Sequence, residues 1–206
     1  MFFEVLLEGD ADAPVVKEIF QRKFQLQEHT NFRLHPHRGK GKLPGNPLSR
    51  PDPKHQALLD QLPAKLRGYA QVPSHLCIIV LVDVEYDHCV TLKTSLLTLQ
   101  PRPRCTLFRI AIEETESWFI ADPDAIKKAF PKAKTKTLVN IPPDSICGAW
   151  EKLAEALGRK PKDCSGEDKH EWATKIAPHL DLDFPKSPSL RHFIEGVDKI
   201  ITSQVE

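Results

Sequence analysis

Three acidic side chains follow one apolar run. In "CIIVLVDVEYD", Cys77 to Asp87, the only polar residue before Glu85 is Asp83, and Glu85 and Asp87 come next. An unpaired carboxylate in an apolar interior costs several kcal/mol, so acids at the end of a core element need a compensating partner. Further acids recur at comparable places. Glu8 follows "FFEVLL", and Glu113, Glu114 and Glu116 follow "LFRIAI". Clustered carboxylate oxygens repel one another unless a cation sits among them, and hard divalent ions such as Mg2+ or Mn2+ take such ligands. Each residue also has an ordinary reading. Glu8-Gly9 can be a plain turn, Glu116 a solvated helix acid, and Asp122 a helix N-cap. If the strand continues past Asp83, alternation places Asp83, Glu85 and Asp87 on one side; otherwise some of them are loop or cap residues.

The elements that position these acids read as an α/β chain. "FFEVLLE" has strand character. "DADAPVVKEIFQRKF" has helical period, with Asp10 or Asp12 as its cap and Pro14 in its first turn. "NFRLHPH" reads as a short second strand. "RGKGKLPGNPLSRPDPKH" reads as a mobile loop. "HQALLDQLPAKLRGYA" is helical, with Pro63 expected to kink or end its first half. "HLCIIVLVDV" is the continuous β-branched run of a central parallel strand covered on both faces. Next come a helix in "VTLKTSLLTLQ", a strand in "RCTLFRIAI", and helices in "ETESWFIA" and "PDAIKKAF". The last third, from "AWEKLAEALG" to "SPSLRHFIEGVDKII", is helical. Alternation of this kind predicts an open, mainly parallel sheet with helices on both faces. We expect an α/β core over residues 1–140, including a basic loop at about 36–56, and a helical extension over 141–206 packed on it. In such sheets ligands bind beyond the carboxyl ends of the strands, where Glu8, Asp83 and Glu116 all fall.

The 206 residues suffice for one good-sized domain or one domain with an extension, and the net charge of +1 is uninformative as a total. Its distribution is more telling. Between Asn31 and Tyr69 eight basic residues face two acids, whereas Glu113 to Asp124 holds five acids and no base. A basic arm beside an acidic centre fits a metal site that serves a phosphate-bearing substrate, and equally two solvated faces. Arg38, Lys40 and Lys42 are the candidate nucleic-acid contacts. "HRGKGK" lacks the G-x4-G-K-[ST] spacing, which excludes a P-loop. The five cysteines, Cys77, Cys89, Cys105, Cys147 and Cys164, form no C-x-x-C pair. They argue against a zinc site or disulfide framework and for a reducing compartment, with Cys77 as plain core. No apolar stretch reaches a membrane-spanning length, and a soluble cytoplasmic protein is expected.

"LLEGDAD" followed by "VLVDVEYD" resembles the Toprim pattern, with Glu-Gly after a first strand and D-x-D after a later one. "IAIEETESWFIADPDAI" and "SPSLRHFIEGV" extend the resemblance to a family of small Toprim-like bacterial proteins, domain-of-unknown-function family 4276. That family resembles the nuclease half of overcoming-lysogenization-defect proteins and is often encoded beside an ATPase. The resemblance spans Phe3 to about Val197. It implies that Glu8 is a metal ligand or general acid/base, that Asp83 is the first D-x-D aspartate, and that Glu116 is the downstream acid. Glu85 stands where the pattern has its second Asp; either Glu85 or Asp87 could take that place. The lysine that assists in related nucleases maps to Lys169, with Lys175 as the second choice.

The resemblance implies an Mg2+- or Mn2+-dependent phosphodiesterase acting on DNA or RNA, in a bacterial phage-defence system with an ATPase partner. A non-catalytic docking or regulatory subunit of an ATPase complex is the alternative. A receiver-like domain, with strand-end acids around a phospho-accepting Asp, is disfavoured by the helical last third and the "ESWFIAD" block.

Overall fold

The computed structural model describes residues 1–72, 75–84 and 89–203. Among the described residues four strands form one sheet: β1 (Phe2–Leu7), β2 (Phe32–Pro36), β3 (Leu76–Val84) and β4 (Thr106–Ile112). Their order is β2-β1-β3-β4 and every pairing is parallel. The apolar run of β3 is therefore an interior strand, and all its residues from Cys77 to Val84 are buried. The helices are α1 (Asp12–Glu18), α2 (Leu58–Tyr69), α3 (Cys89–Leu97), α4 (Glu116–Ile120), α5 (Pro123–Ala129), α6 (Ala149–Ala156), α7 (Gly166–Ile176) and α8 (Pro188–Thr202). A π-helical segment, Ile19–Lys23, continues α1.

The period of two along each strand sorts the core into two layers. Phe3, Val5, Leu7, Ile79 and Leu81 pack with α1 and the helices that follow β4. Leu6, Ile78, Val80 and Val82 pack with α2 and α3 on the other face. Asp83 continues the odd-numbered row, so it faces α1, α4 and α7 rather than α2. That parity brings acids from three strand ends under one roof of helices.

The "SPSLRHF" block is explained by packing. Ser187 caps α8 through Leu190 N–H at 3.1 Å, and Asp144 takes the Ser187 hydroxyl and the Ser189 N–H, both at 2.7 Å. Ser189 Oγ in turn accepts from the buried Trp118 indole at 2.8 Å, which ties the "ESWFIAD" block to α8. Asp122 caps α5 through Ala125 N–H at 3.1 Å and also accepts Asp181 N–H at 3.0 Å.

Four local expectations are corrected. Neither Asp10 nor Asp12 caps α1; the cap position is Ala11, without a side-chain bond. Pro63 does not end α2, which runs through it. An interior proline costs roughly 3 kcal/mol, and the burial of Leu58, Leu62 and Leu66 around it offsets that. The basic loop is tied down near its start and at its middle. Gly39 and Lys40 carbonyls accept the first N–H groups of α2, from Leu58 and Leu59, at 2.9 and 2.8 Å. Farther along, Arg67 holds the Pro47 and Ser49 carbonyls. Finally, Cys77 and Cys105 form a disulfide, against the reading of Cys77 as core alone and of the cysteines as unpaired. Each immediately precedes its member of the first β3–β4 register pair, Ile78 with Thr106, so parallel pairing sets them side by side, 4.7 Å apart at Cα. A match across strands leaves no short-range spacing in sequence. Among the described residues no helix is long and apolar enough to cross a membrane.

Candidate functional site

A cleft of about 870 Å3 opens at the carboxyl edge of the sheet, between the strand ends and the start of α7. Glu8, Asp12, Asp83, Glu114, Glu116 and Lys169 all line it.

The β1–α1 turn supplies two of these acids. Glu8 follows β1 directly, and its Oε2 accepts the Asp83 backbone N–H at 3.3 Å, joining two strand ends. Asp12 Oδ2 accepts Gly9 N–H at 2.9 Å, and its Oδ1 accepts the Thr115 hydroxyl at 2.7 Å. The carboxylate that reads as a helix cap in sequence is thus a buried brace between the β1 and β4 ends.

Asp83 is the centre of the arrangement. Its Oδ1 is buried and meets no hydrogen-bond partner. Burial pushes its pKa well above the ordinary aspartate value, and the charges of Asp12, Glu8, Glu116 and Glu114 add to the rise. Burial likewise raises Asp12 to about 6, with Glu116 adding and the Thr115 hydroxyl opposing. Glu114 is raised to about 7 by burial and by Glu116, against the Trp150 N–H and Lys169.

The β4–α4 turn supplies the rest. Glu113 sits in the left-handed region at φ 66°, and the reversal there leads into Glu114 and Glu116. Glu114 Oε2 accepts Trp150 N–H at 2.9 Å, satisfying a donor at the start of α6. Lys169, on α7, lies 3.5 Å from Glu116 and 3.9 Å from Glu114, with its ammonium 4.7 Å from the Trp150 ring centroid. Burial disfavours its charge, but Glu116 and Glu114 outweigh that and hold its pKa above the usual lysine value. A capping box between Ser165 and Asp168 starts α7, and His170 Nδ1 donates to the Asp10 carbonyl at 3.0 Å, docking the helix on the β1–α1 turn.

The structure therefore brings together Glu8, Asp83, Glu116 and Lys169. It leaves out Lys175, which pairs with Glu171 on the surface. Glu85 and Asp87 lie outside the described residues. Of the basic loop, Gly39 lines the cleft, and its N–H donates to the Glu8 carbonyl at 3.0 Å; Arg38, Lys40 and Lys42 flank that point rather than line it. The site residues missing from the sequence reading are Asp12, taken as a possible cap, and Glu114, noted as an acid without a role. The signal for Asp12 was present in "LLEGDAD", three acids within five residues at a strand end.

A hard cation fits the donor set by chemistry. Carboxylate oxygens dominate, several with raised proton affinity, and the unpaired Asp83 Oδ1 is a buried carboxyl oxygen that a proton or a cation can satisfy. The set is not closed around a point, however. Among the described residues no three His, Cys, Asp or Glu side chains are arranged to hold a metal ion.

The family profile described as Domain of unknown function (DUF4276) matches residues 7–198. The chain belongs to this family. For the DUF4276 chain, no match is found among curated proteins. Among solved structures it is similar to the C-terminal region of the OLD protein of Xanthomonas campestris pv. campestris, with 13% identity and a TM-score of 0.49, over 99% of this chain and 98% of that one.

Proposed function

We propose that this DUF4276 protein is a Toprim-type phosphodiesterase acting on DNA or RNA with Mg2+ or Mn2+. The observation that carries the reading is the buried, unpartnered Asp83 carboxylate oxygen amid four other acids, with Lys169 beside them, at the carboxyl edge of a parallel sheet. Glu8 and Asp83 would hold the cation, with Glu85 or Asp87 as further ligands from the stretch that follows β3. When bound, such an ion lowers the pKa of a water and stabilises charge on phosphoryl oxygens. The chain's own groups supply the remainder. Glu116 and Glu114 keep Lys169 protonated and aimed along the cleft wall, where its ammonium can neutralise a phosphate oxygen. Asp12 fixes the turn that carries Glu8. Arg38, Lys40 and Lys42 would hold backbone phosphates next to the cleft. The family resemblance extends the proposal to an ATPase partner and a role in phage defence.

A second reading has its own observation. Lys169 already neutralises part of the acid cluster without a cation, as a structural ion pair in a docking or regulatory subunit would. Incubation of the purified protein with plasmid, single-stranded DNA and tRNA separates the two. The catalytic reading expects cleavage that requires Mg2+ or Mn2+ and disappears in Asp83→Asn and Lys169→Met. Intact substrates with every metal would leave the docking reading.

A further inference from the structure

The loop that leads into α8 holds an aromatic ring out in solvent. Phe184 is 81% exposed and Val139 67%, the two most exposed large apolar side chains among the described residues. The turn that carries Phe184 is fastened from three sides. Arg22 donates to the Leu180 carbonyl at 3.0 Å, Asp122 accepts the Asp181 N–H at 3.0 Å, and Lys23 pairs with Asp183 at 2.6 Å. Within the turn, Asp181 Oδ1 accepts the N–H groups of Asp183 and Phe184 at 3.0 and 2.9 Å. Leu182 is buried in the core, and Phe184 is left outside it. The ring is thus presented on a fixed backbone, which lowers the ordering cost of burying it against a partner.

A hollow of about 400 Å3 opens beside this turn, lined by Ile120, Pro123, Leu138, Val139, Ile141 and Pro143. The turn forms part of its rim. Asp181 is bonded to Asp122, which stands between the lining residues Ala121 and Pro123, and Lys186 lines the hollow two residues after Phe184. Phe184 does not line it, so the ring leaves the hollow of its own chain open. Isolated apolar side chains at a surface are ordinary, but an exposed ring at the rim of an apolar hollow marks an interaction site. Two exposed charges of opposite sign, Lys186 and Asp124, also line the hollow. Among the described residues neither has an ion pair or a side-chain hydrogen bond.

We infer that this face pairs two copies of the chain about a two-fold axis, with Phe184 of each seated in the hollow of the other and Lys186 of each set against Asp124 of the other. A second copy is the occupant because ring, hollow, cation and anion lie together, which makes the face complementary to itself in shape and in charge. A two-fold axis uses every one of these contacts twice and closes the assembly at a dimer. A ring and a hollow on different faces would build open chains instead. None of these residues lines the acid cleft, so the inference stands apart from the phosphodiesterase reading.

The test is sedimentation equilibrium of the full chain over a concentration series. The parent should pass from monomer to dimer and grow no further. Phe184→Asp should weaken the dimer by about 30-fold for each ring lost, and the two-fold loses two. Asp124→Lys and Lys186→Glu should each weaken it by about 2- to 5-fold for each of the two pairs, because each sets like charges together. The two combined should restore the parent's association, since the pair is then remade with its signs exchanged. Should Phe184→Asp melt early, the charge exchange, confined to exposed side chains, decides the matter. A parent that stays monomeric at every concentration would overturn the inference, as would growth past the dimer or a dimer indifferent to Phe184→Asp. So would a doubly exchanged variant that associates no better than the single ones.

Discussion

Asp83 couples ionisation to stability. Asp12, Asp83 and Glu114 all have raised pKa values, caused first by burial. For an acid whose folded pKa exceeds its unfolded value, the folded state holds the extra proton between the two values. Stability is then highest below the unfolded pKa and falls as pH rises through the window. That window runs from the ordinary values, 3.8 for Asp12 and 4.5 for Glu114, to about 6 and about 7. Metal-free protein should therefore melt at progressively lower temperature from about pH 4 to about pH 7, and thermal scans across buffers in EDTA check this. Asp83→Asn removes a buried charge and its repulsion, so it should raise the metal-free melting temperature at pH 8 by roughly 2–4 °C per kcal/mol relieved. The same variant should lose most of the stabilisation that Mn2+ gives the parent through binding the folded state alone. In sequence Asp83 stood out because an acid interrupts a β-branched run. Asp12 did not, because an Asp at a helix start has a common explanation in capping, and its contact with Thr115 spans 103 positions.

At the scale of elements, the strand pattern was legible and the cross-element fastenings were not. β3 declared itself as an interior strand by composition, and parity along it assigned Asp83 to a face once the helices were placed. The disulfide from Cys77 to Cys105 and the passage of α2 through Pro63 depend on neighbours distant in sequence, which local propensity does not register. The Ser187-Pro188-Ser189 block is a fastening of the same sort. Ser189→Ala should leave the Trp118 indole N–H buried without its acceptor, at a cost of about 1–3 kcal/mol. Ser187→Ala should cost about 1 kcal/mol through the lost α8 cap, and more if Asp144 is released with it. Urea denaturation with unchanged m-values would report both. Losses below a few tenths of a kcal/mol would mean that the block is not the tie described.

Across the whole molecule, acids gather at one sheet edge and cations flank it. Replacing Arg38, Lys40 and Lys42 with Ala should weaken nucleic-acid binding similarly across sequences. The salt slope should become shallower by up to about 0.9 for each lost contact on duplex DNA. Stability should change little, because Arg38 and Lys42 are exposed and the loop's anchors are backbone carbonyls and Arg67, which the substitutions spare. Fluorescence anisotropy with a labelled duplex at several salt concentrations checks it, and equal binding at every salt would reduce the loop to a solvated surface and favour the docking reading.

The central claim is that Glu8 and Asp83 share a hard divalent cation. Anomalous diffraction from crystals soaked in Mn2+ tests it most directly. The account expects an anomalous peak within about 2.0–2.6 Å of oxygens from both Glu8 and Asp83. Manganese bound elsewhere, or no peak at that edge with the site open to solvent, would contradict it.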